Sequence, residues 1–194
     1  MTIISAATVL LLILDPFGNL VTINILLADL PRAKRQRIIL REALIAYGIL
    51  ILFLLVGNSL LSFFGVASHT LRISGGIILF IIALGMVFPS RSALPSTLEN
   101  EPFIVPIAMP LMAGPSAIAA LLVMAKSDPQ LLGSWLGALT LAMGVTGVIL
   151  WASPRIFQWL GPRGALAVEQ LMGMLLVILS VQMMLDGVEQ YLQF

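Results

Sequence analysis

The sequence predicts an all-α integral membrane protein with six transmembrane helices, arranged as two inverted three-helix repeats with helices 1 and 4 broken at mid-membrane. Three observations lead to this prediction. The 194 residues are 60% hydrophobic and only 10% charged, with a mean hydropathy of +1.09, whereas soluble chains carry about 25% charged residues. Six apolar runs cover most of the chain. Two of these runs, in corresponding positions of the two halves, contain proline and glycine near their middle.

The apolar runs are close to the length that crosses a bilayer as a helix, about 20 residues. They leave only short connectors, and the absence of cysteine excludes a disulfide scaffold. The first run follows no basic segment and precedes no cleavage pattern, so we expect it to be retained as a span. The runs occupy residues 2–30, 38–62, 71–88, 103–126, 131–152 and 168–188.

The positions of the basic residues predict the orientation, because short cytoplasmic loops are enriched in lysine and arginine. Eight basic residues follow runs 1, 3 and 5, and two follow runs 2 and 4, which places both termini outside the cell. Anionic-lipid binding by the cluster at 32–41 is the alternative to a purely orienting role. The eight are Arg32, Lys34, Arg35, Arg37, Arg41, Arg91, Arg155 and Arg163; the two are Arg72 and Lys126.

An internal repeat divides the chain at a polar cytoplasmic linker, residues 89–102, into a first repeat, 1–88, and a second repeat, 103–194. Runs 3 and 6 align without gaps at an offset of 97, which places the small residues Gly76 and Ala83 opposite Gly173 and Ser180. Pro16 and Pro115 are 99 residues apart. Three spans per repeat make the second repeat inverted, and inverted repeats with broken helices at matching positions are typical of secondary transporters.

The two breaks are the predicted substrate site. Proline and glycine end one half-helix and begin the next. The free amides at a half-helix N-terminus suit a carboxylate, and the free carbonyls at a C-terminus suit an ammonium group or a metal cation. We interpret Gly18 and Gly114 as the unwinding points and expect Asn19 and Ser116 to cap the second half-helices. The predicted substrate-binding residues are Asp15, Pro16, Gly18, Asn19, Gly114, Pro115 and Ser116.

Asp15 is the only ionisable residue deep inside an apolar run. Two interpretations stay open: it only caps a helix, or it binds substrate, a proton or sodium. No catalytic residue, metal site or cofactor is predicted, and the coupling ion stays open. Thr22, Asn24 and Gln182 are secondary site candidates. A stripe on one face of run 5 predicts either tight packing or a sliding surface against a neighbouring helix; it comprises Gly133, Gly137, Thr140, Gly144 and Gly147.

With the motifs at 15–19 and 113–116, the chain resembles the MarC family of bacterial inner-membrane proteins, in particular its YhgN-type branch. The segments 73–80, 101–106 and 182–187 carry the same resemblance. The family includes transporters of glycine and alanine, built from two inverted three-helix repeats with unwound first and fourth helices. The resemblance therefore implies an inner-membrane location and an unwound site marked by Gly18 and Gly114, without fixing the substrate.

These observations favour a secondary transporter of small metabolites, above all small neutral amino acids, which alternates access around a site between the two breaks. A channel or a non-transporting membrane scaffold is the alternative. An intramembrane enzyme is least favoured, because the chain has no cysteine, no histidine in an apolar run and none of the common hydrolase motifs. The expected partners are a small-molecule substrate and the lipid bilayer, without nucleic acid; the oligomeric state stays open.

Overall fold

The computed structural model describes residues 2–28, 30–63, 65–88 and 107–192, and within these ranges all regular structure is helical. The predicted linker, 89–102, and the predicted start of the fourth run at residue 103 lie outside the described residues. The helices are α1 (Ile3–Leu14), α2 (Pro16–Leu26), α3 (Arg32–Phe63), α4 (Ser68–Val87), α5 (Pro115–Ser127), α6 (Leu132–Trp151) and α7 (Ser153–Leu192); an irregular turn, Ile107–Met112, precedes α5.

Five helical segments in the described part of the chain are long and apolar enough to cross a membrane. They correspond to predicted runs 1, 2, 3, 5 and 6, with α1 and α2 together forming the first. The described part of run 4 contains the shorter apolar helix α5. The described part of the chain is therefore all-helical, with five candidate membrane spans.

The last helix begins earlier than predicted. Run 6 was expected to start at residue 168, whereas α7 begins at Ser153 and is kinked at Gly161, which has a φ of 69°. Pro154 occupies the first turn, where a proline costs no hydrogen bond, and Gly161 adopts the left-handed conformation before Pro162. Trp159 on the first piece is 89% exposed. The predicted connector is thus a short helix joined to the span by a glycine kink.

Helices α4 and α7 pack against each other through small residues. A methyl carbon added at Gly76 would lie 2.9 Å from the Ser180 carbonyl oxygen, and one added at Gly173 would lie 3.1 Å from the Ala83 carbonyl oxygen. These are the four residues that the offset of 97 pairs. Small residues at these positions let the two main chains approach closely, which is the usual way helices associate in lipid.

We expect Gly76→Ala and Gly173→Ala each to destabilise the protein by about 1–3 kcal/mol, the usual effect of overpacking a tight contact. The added methyl carbons would also lie 2.7 Å from Met184 Cγ and 2.9 Å from Met86 Cβ, respectively. Thermal unfolding in detergent measures the loss. Gly48→Ala in α3 is the matched control, because no atom lies within 4 Å of its added methyl; unchanged stability of both test variants would contradict the close contact.

The remaining helices pack beside the α4–α7 pair, which α2 and α5 contact directly. Helix α1 packs on α6, and α2 packs on α6 and α7; likewise the 107–112 turn packs on α3, and α5 packs on α3 and α4. Helices α3 and α6 contact each other. Lys126 Nζ donates to the Val66 carbonyl at 3.0 Å, and Gln170 Nε2 donates to the Val87 carbonyl at 3.3 Å. These two bonds show which helix ends lie together at each face of the protein.

The glycine stripe of α6 does not pack tightly in this chain. No atom lies within 4 Å of a methyl carbon added at Gly133, Gly137, Gly144 or Gly147. The stripe instead lines open grooves beside α3, where the Tyr47 and Thr140 hydroxyl groups lie 2.7 Å apart. The stripe therefore faces α3 and contacts it at Thr140, but the predicted tight packing at its glycines is not found within the described structure.

Candidate functional site

The first break is a single residue, Asp15, between α1 and α2. Its backbone is left-handed, with φ 42° and ψ 64°, and it is the one non-glycine residue with a positive φ in the described chain. Aspartate adopts this conformation more readily than most residues. Its carboxylate Oδ1 accepts a hydrogen bond from the Gly18 amide at 3.0 Å, and Pro16 occupies the first turn of α2. Asp15 therefore ends α1 and caps α2.

The roles predicted for Gly18 and Asn19 are wrong in detail. Gly18 lies inside the first turn of α2 and is not the unwinding point, because the reversal is complete at Asp15. Asn19 is also within α2, and its Nδ2 donates to the Leu14 carbonyl at 2.9 Å. It therefore satisfies a free carbonyl at the end of α1 instead of capping the helix that follows.

Gly18 is required by a close approach. A methyl carbon added there would lie 2.0 Å from Asp15 Oδ2 and 2.3 Å from Met86 Cε. Met86 also lies against Gly173, because its Cβ would be 2.9 Å from a methyl carbon added at Gly173. The Asp15 carboxylate, which belongs to a residue only 7% exposed, is thus enclosed by its own helix turn and by the α4–α7 contact.

The second break lies at 113–114, immediately before α5. Met109 within the 107–112 turn is extended, with φ −128° and ψ 132°, as expected for a residue that precedes proline. The Ala113 amide donates to the Ala108 carbonyl at 2.8 Å. Gly114 is also extended, and α5 begins at Pro115. The prediction that Gly114 marks an unwound point is confirmed.

The start of α5 lacks a side-chain cap, which contrasts with α2. Gly114 occupies the cap position and makes no side-chain hydrogen bond to the helix. The prediction that Ser116 caps α5 is wrong, because Ser116 lies in the first turn, where it is 4% exposed. Pro115 is exposed, whereas Gly114 is buried. Among the residues that the structure describes, no side chain caps the first amides of α5, which keep their partial positive charge.

The two broken helices contact each other. Helix α1 touches α5, and α2 touches the 107–112 turn, so each half of one broken helix meets the opposite half of the other. The residues before each break are buried: Ile13 and Leu14 on one side, Met112 and Ala113 on the other. The structure thus places both breaks in the protein interior, with a carboxylate at the first and uncapped amides at the second.

Glu169 is a site residue that sequence reasoning missed. It is partly buried on α7, the helix that packs against α2, and it lies within electrostatic range of Asp15. Extending the alignment of runs 3 and 6 back by one turn pairs Glu169 with Arg72 at the same offset of 97. Two charged residues at matching positions were the signal that could have revealed it.

The three secondary candidates lie on α2 and α7. The side-chain amide of Asn24, which is buried, donates to the Leu20 carbonyl of its own helix at 2.8 Å. Thr22 is half-buried on α2. Gln182 is exposed, and its Nε2 donates to Asp186 Oδ1 at 2.7 Å. Asn24 and Gln182 therefore use their amide groups in local bonds, and a binding role for any of the three stays a prediction.

Comparison with known proteins identifies the family. The family model described as MarC family integral membrane protein matches residues 1–192. The chain is similar to the UPF0056 inner membrane protein YhgN of Escherichia coli (strain K12), with 44% identity over 98% of both chains. It is 40% identical to a UPF0056 membrane protein of Buchnera aphidicola subsp. Baizongia pistaciae (strain Bp), over 97% of both chains.

A more distant relative is the UPF0056 membrane protein MJ1677 of Methanocaldococcus jannaschii, which is 30% identical over 91% of this chain and 90% of its own length. No solved structure matches the chain. The family match over nearly the whole length and the identities of 40% and more show that the chain belongs to the MarC family of integral membrane proteins.

Proposed function

We propose that this protein is a secondary transporter of small neutral amino acids that binds its substrate between the two broken helices. The observation that carries the proposal is the opposite polarity of the two breaks. Asp15 supplies a buried carboxylate at the first, and the uncapped start of α5 supplies positively polarised amides at the second. An amino acid zwitterion has one group for each of these poles.

The helix packing supports a pair of inverted repeats. In such a pair, α1 corresponds to the 107–112 turn, α2 to α5, α3 to α6 and α4 to α7. The contact of α1 with α6 then corresponds to the contact of the turn with α3. The contacts of α2 with α6 and α7 likewise become those of α5 with α3 and α4. The glycine contacts between α4 and α7 exchange in the same way. Such a two-fold arrangement is typical of carriers that alternate access.

The proposal includes the location and the orientation. The relative YhgN is named an inner membrane protein, and the apolar helices suit the same location for this chain. The excess of basic residues in the connectors after runs 1, 3 and 5 favours both termini on the outer side. In this orientation Val66 and Lys126 lie at the outer face, and Val87 and Gln170 lie at the inner face.

The proposal includes ion coupling at the first break, where the Asp15 carboxylate is buried within a membrane span. A buried carboxylate within a membrane favours the uptake of a positive charge, either a proton or a cation. The substrate ammonium group would fill the same role in the loaded state. The gradient that drives transport identifies the coupling ion as a proton or as sodium.

Purified protein in proteoliposomes is expected to take up labelled alanine or glycine with saturation. An imposed proton or sodium gradient should raise the initial rate, and electrical recording should show no unitary conductance steps. A panel of small amino acids and related metabolites that shows no saturable flux, with or without either gradient, would refute the transporter. Steady conductance steps would instead favour a channel.

A further inference from the structure

A cavity of about 210 Å³ lies between the two broken helices and the helices around them. Ile13 in the last turn of α1 lines one side, and Ala120 in α5 lines another. Arg72 of α4 and Asp128, which follows α5, also line the cavity. Ile13 is two residues from the first break and Ala120 is six residues from the second, so the cavity adjoins the proposed substrate site.

Charge and apolar surface are separated within this cavity. Asp128 is exposed and the Arg72 side chain is partly exposed, so the charged end of the cavity is the end that reaches the surface. Both residues lie at the helix ends joined by the bond from Lys126 to Val66, the proposed outer face. The buried lining residues are apolar or aromatic: Ile13, Ala120, Met124 and Trp135.

The two charged residues are held by neighbours that leave their side chains at the cavity. The Trp135 indole donates to the backbone carbonyl of Asp128 at 3.2 Å, and this contact does not use the carboxylate. Arg72 Nη1 lies 3.8 Å from Asp186 Oδ2, a long ion pair, while Asp186 Oδ1 accepts a shorter bond from Gln182. A guanidinium and a carboxylate at one cavity mouth are the groups that bind a carboxylate and an ammonium, respectively.

We propose that this cavity is an outer binding site for zwitterionic small amino acids, with Arg72 binding the carboxylate and Asp128 binding the ammonium group. Its volume equals that of about seven water molecules at roughly 30 Å³ each, below the roughly 300–1,000 Å³ of drug-sized sites. The apolar walls select a small uncharged side chain. This inference rests on the proposed transport function, because it gives the substrate its path from the outer face to the breaks.

Tryptophan fluorescence tests binding without transport. The chain has three tryptophans; Trp135 lines the cavity and is 2% exposed, whereas Trp151 and Trp159 are exposed on other surfaces. A W151F/W159F background therefore leaves Trp135 as the reporter. We expect L-alanine to change its emission with saturation, and propionate and ethylamine, which each carry one of the two charges, to bind at least tenfold more weakly.

In this background Arg72→Gln and Asp128→Asn are each expected to weaken alanine binding by roughly 10- to 100-fold, as for the loss of one charge-assisted contact. In proteoliposomes they should raise KM by a similar factor and leave kcat nearly unchanged. Arg72→Lys keeps the charge and should lose less alanine affinity than Arg72→Gln. It also serves as the test variant if Arg72→Gln does not fold. Lys126→Gln and Glu189→Gln are matched controls, because they remove outer-face charges that do not line the cavity.

The outcomes separate the two proposals. Wild-type KM and wild-type alanine binding in both Arg72→Gln and Asp128→Asn would overturn the outer site and leave the transporter intact. Saturable Trp135 responses that depend on both residues, in a protein without any flux, would refute the transporter and keep the site. Equal binding of alanine, propionate and ethylamine would also overturn the zwitterion site.

Discussion

Gly18→Ala is expected to reduce transport of alanine or glycine by at least about 100-fold. The added methyl carbon would lie 2.0 Å from Asp15 Oδ2 and 2.3 Å from Met86 Cε. The Asp15 carboxylate would have to leave its bond to the Gly18 amide, which is 3.0 Å long in the wild type. Because that carboxylate is the proposed negative pole of the site, its displacement removes substrate binding. Initial uptake rates in proteoliposomes measure the effect.

Two further variants identify the cause. Gly85→Ala is the matched control on the neighbouring helix, since no atom lies within 4 Å of its added methyl, and it should transport normally. Met86→Ala removes one of the two clashes, so the double variant with Gly18→Ala distinguishes them. We expect the double variant to stay inactive, because the carboxylate is still displaced. Wild-type transport in Gly18→Ala alone would refute the role of this close approach.

Asp15→Asn is expected to reduce transport strongly while preserving the fold. Asparagine tolerates the left-handed backbone, and its carbonyl oxygen can still accept the bond from the Gly18 amide. Only the charge is removed, and the loss of a charge-assisted contact to the substrate ammonium should weaken transport by roughly 10- to 100-fold or more. Uptake rates and thermal unfolding are measured on the same preparation.

Asp15→Ala provides the comparison that separates capping from binding. Alanine cannot cap α2, which lowers the stability of the protein by about 1 kcal/mol. The left-handed backbone lowers it by roughly 1–2 kcal/mol more. We therefore expect Asp15→Ala to lose both stability and transport, and Asp15→Asn to lose transport alone. Normal transport in Asp15→Asn would show that the residue serves only as a helix cap.

The position of the first break was predictable to within a few residues, but its geometry was not. A proline after an aspartate indicates a helix start, and this held for Pro16. Glycine, however, permits either an unwound backbone or a close contact. Only the positions of Asp15 Oδ2 and Met86 Cε show that Gly18 makes a close contact. Asn19 presents a similar ambiguity. Its side-chain amide can cap the start of α2 or donate to a free carbonyl at the end of α1, and the structure shows the second.

The small residues of runs 3 and 6 were the more reliable signal. Their spacing does not depend on a local conformation; it predicted close approach of a helix at these faces, and the structure shows that the two helices approach each other, with Gly76 against Ser180 and Gly173 against Ala83. The kink at Gly161 and the helix before it were missed because residues 153–167 are too polar to stand out in a search for apolar runs. Glu169 was missed for a related reason, since it lies at the edge of its run.

The contact between α4 and α7 also bears on how fast the protein can change shape. At Gly76 and Gly173 a carbonyl oxygen of the opposite helix lies close by, and the side chains of Met184, Met86 and Val87 lie beside it. Shear motion is a small sliding of packed helices, and here these three side chains must rearrange before the helices can slide. A shear displacement of one half against the other therefore meets an activation barrier set by these side chains, and bulkier residues placed there would slow turnover further.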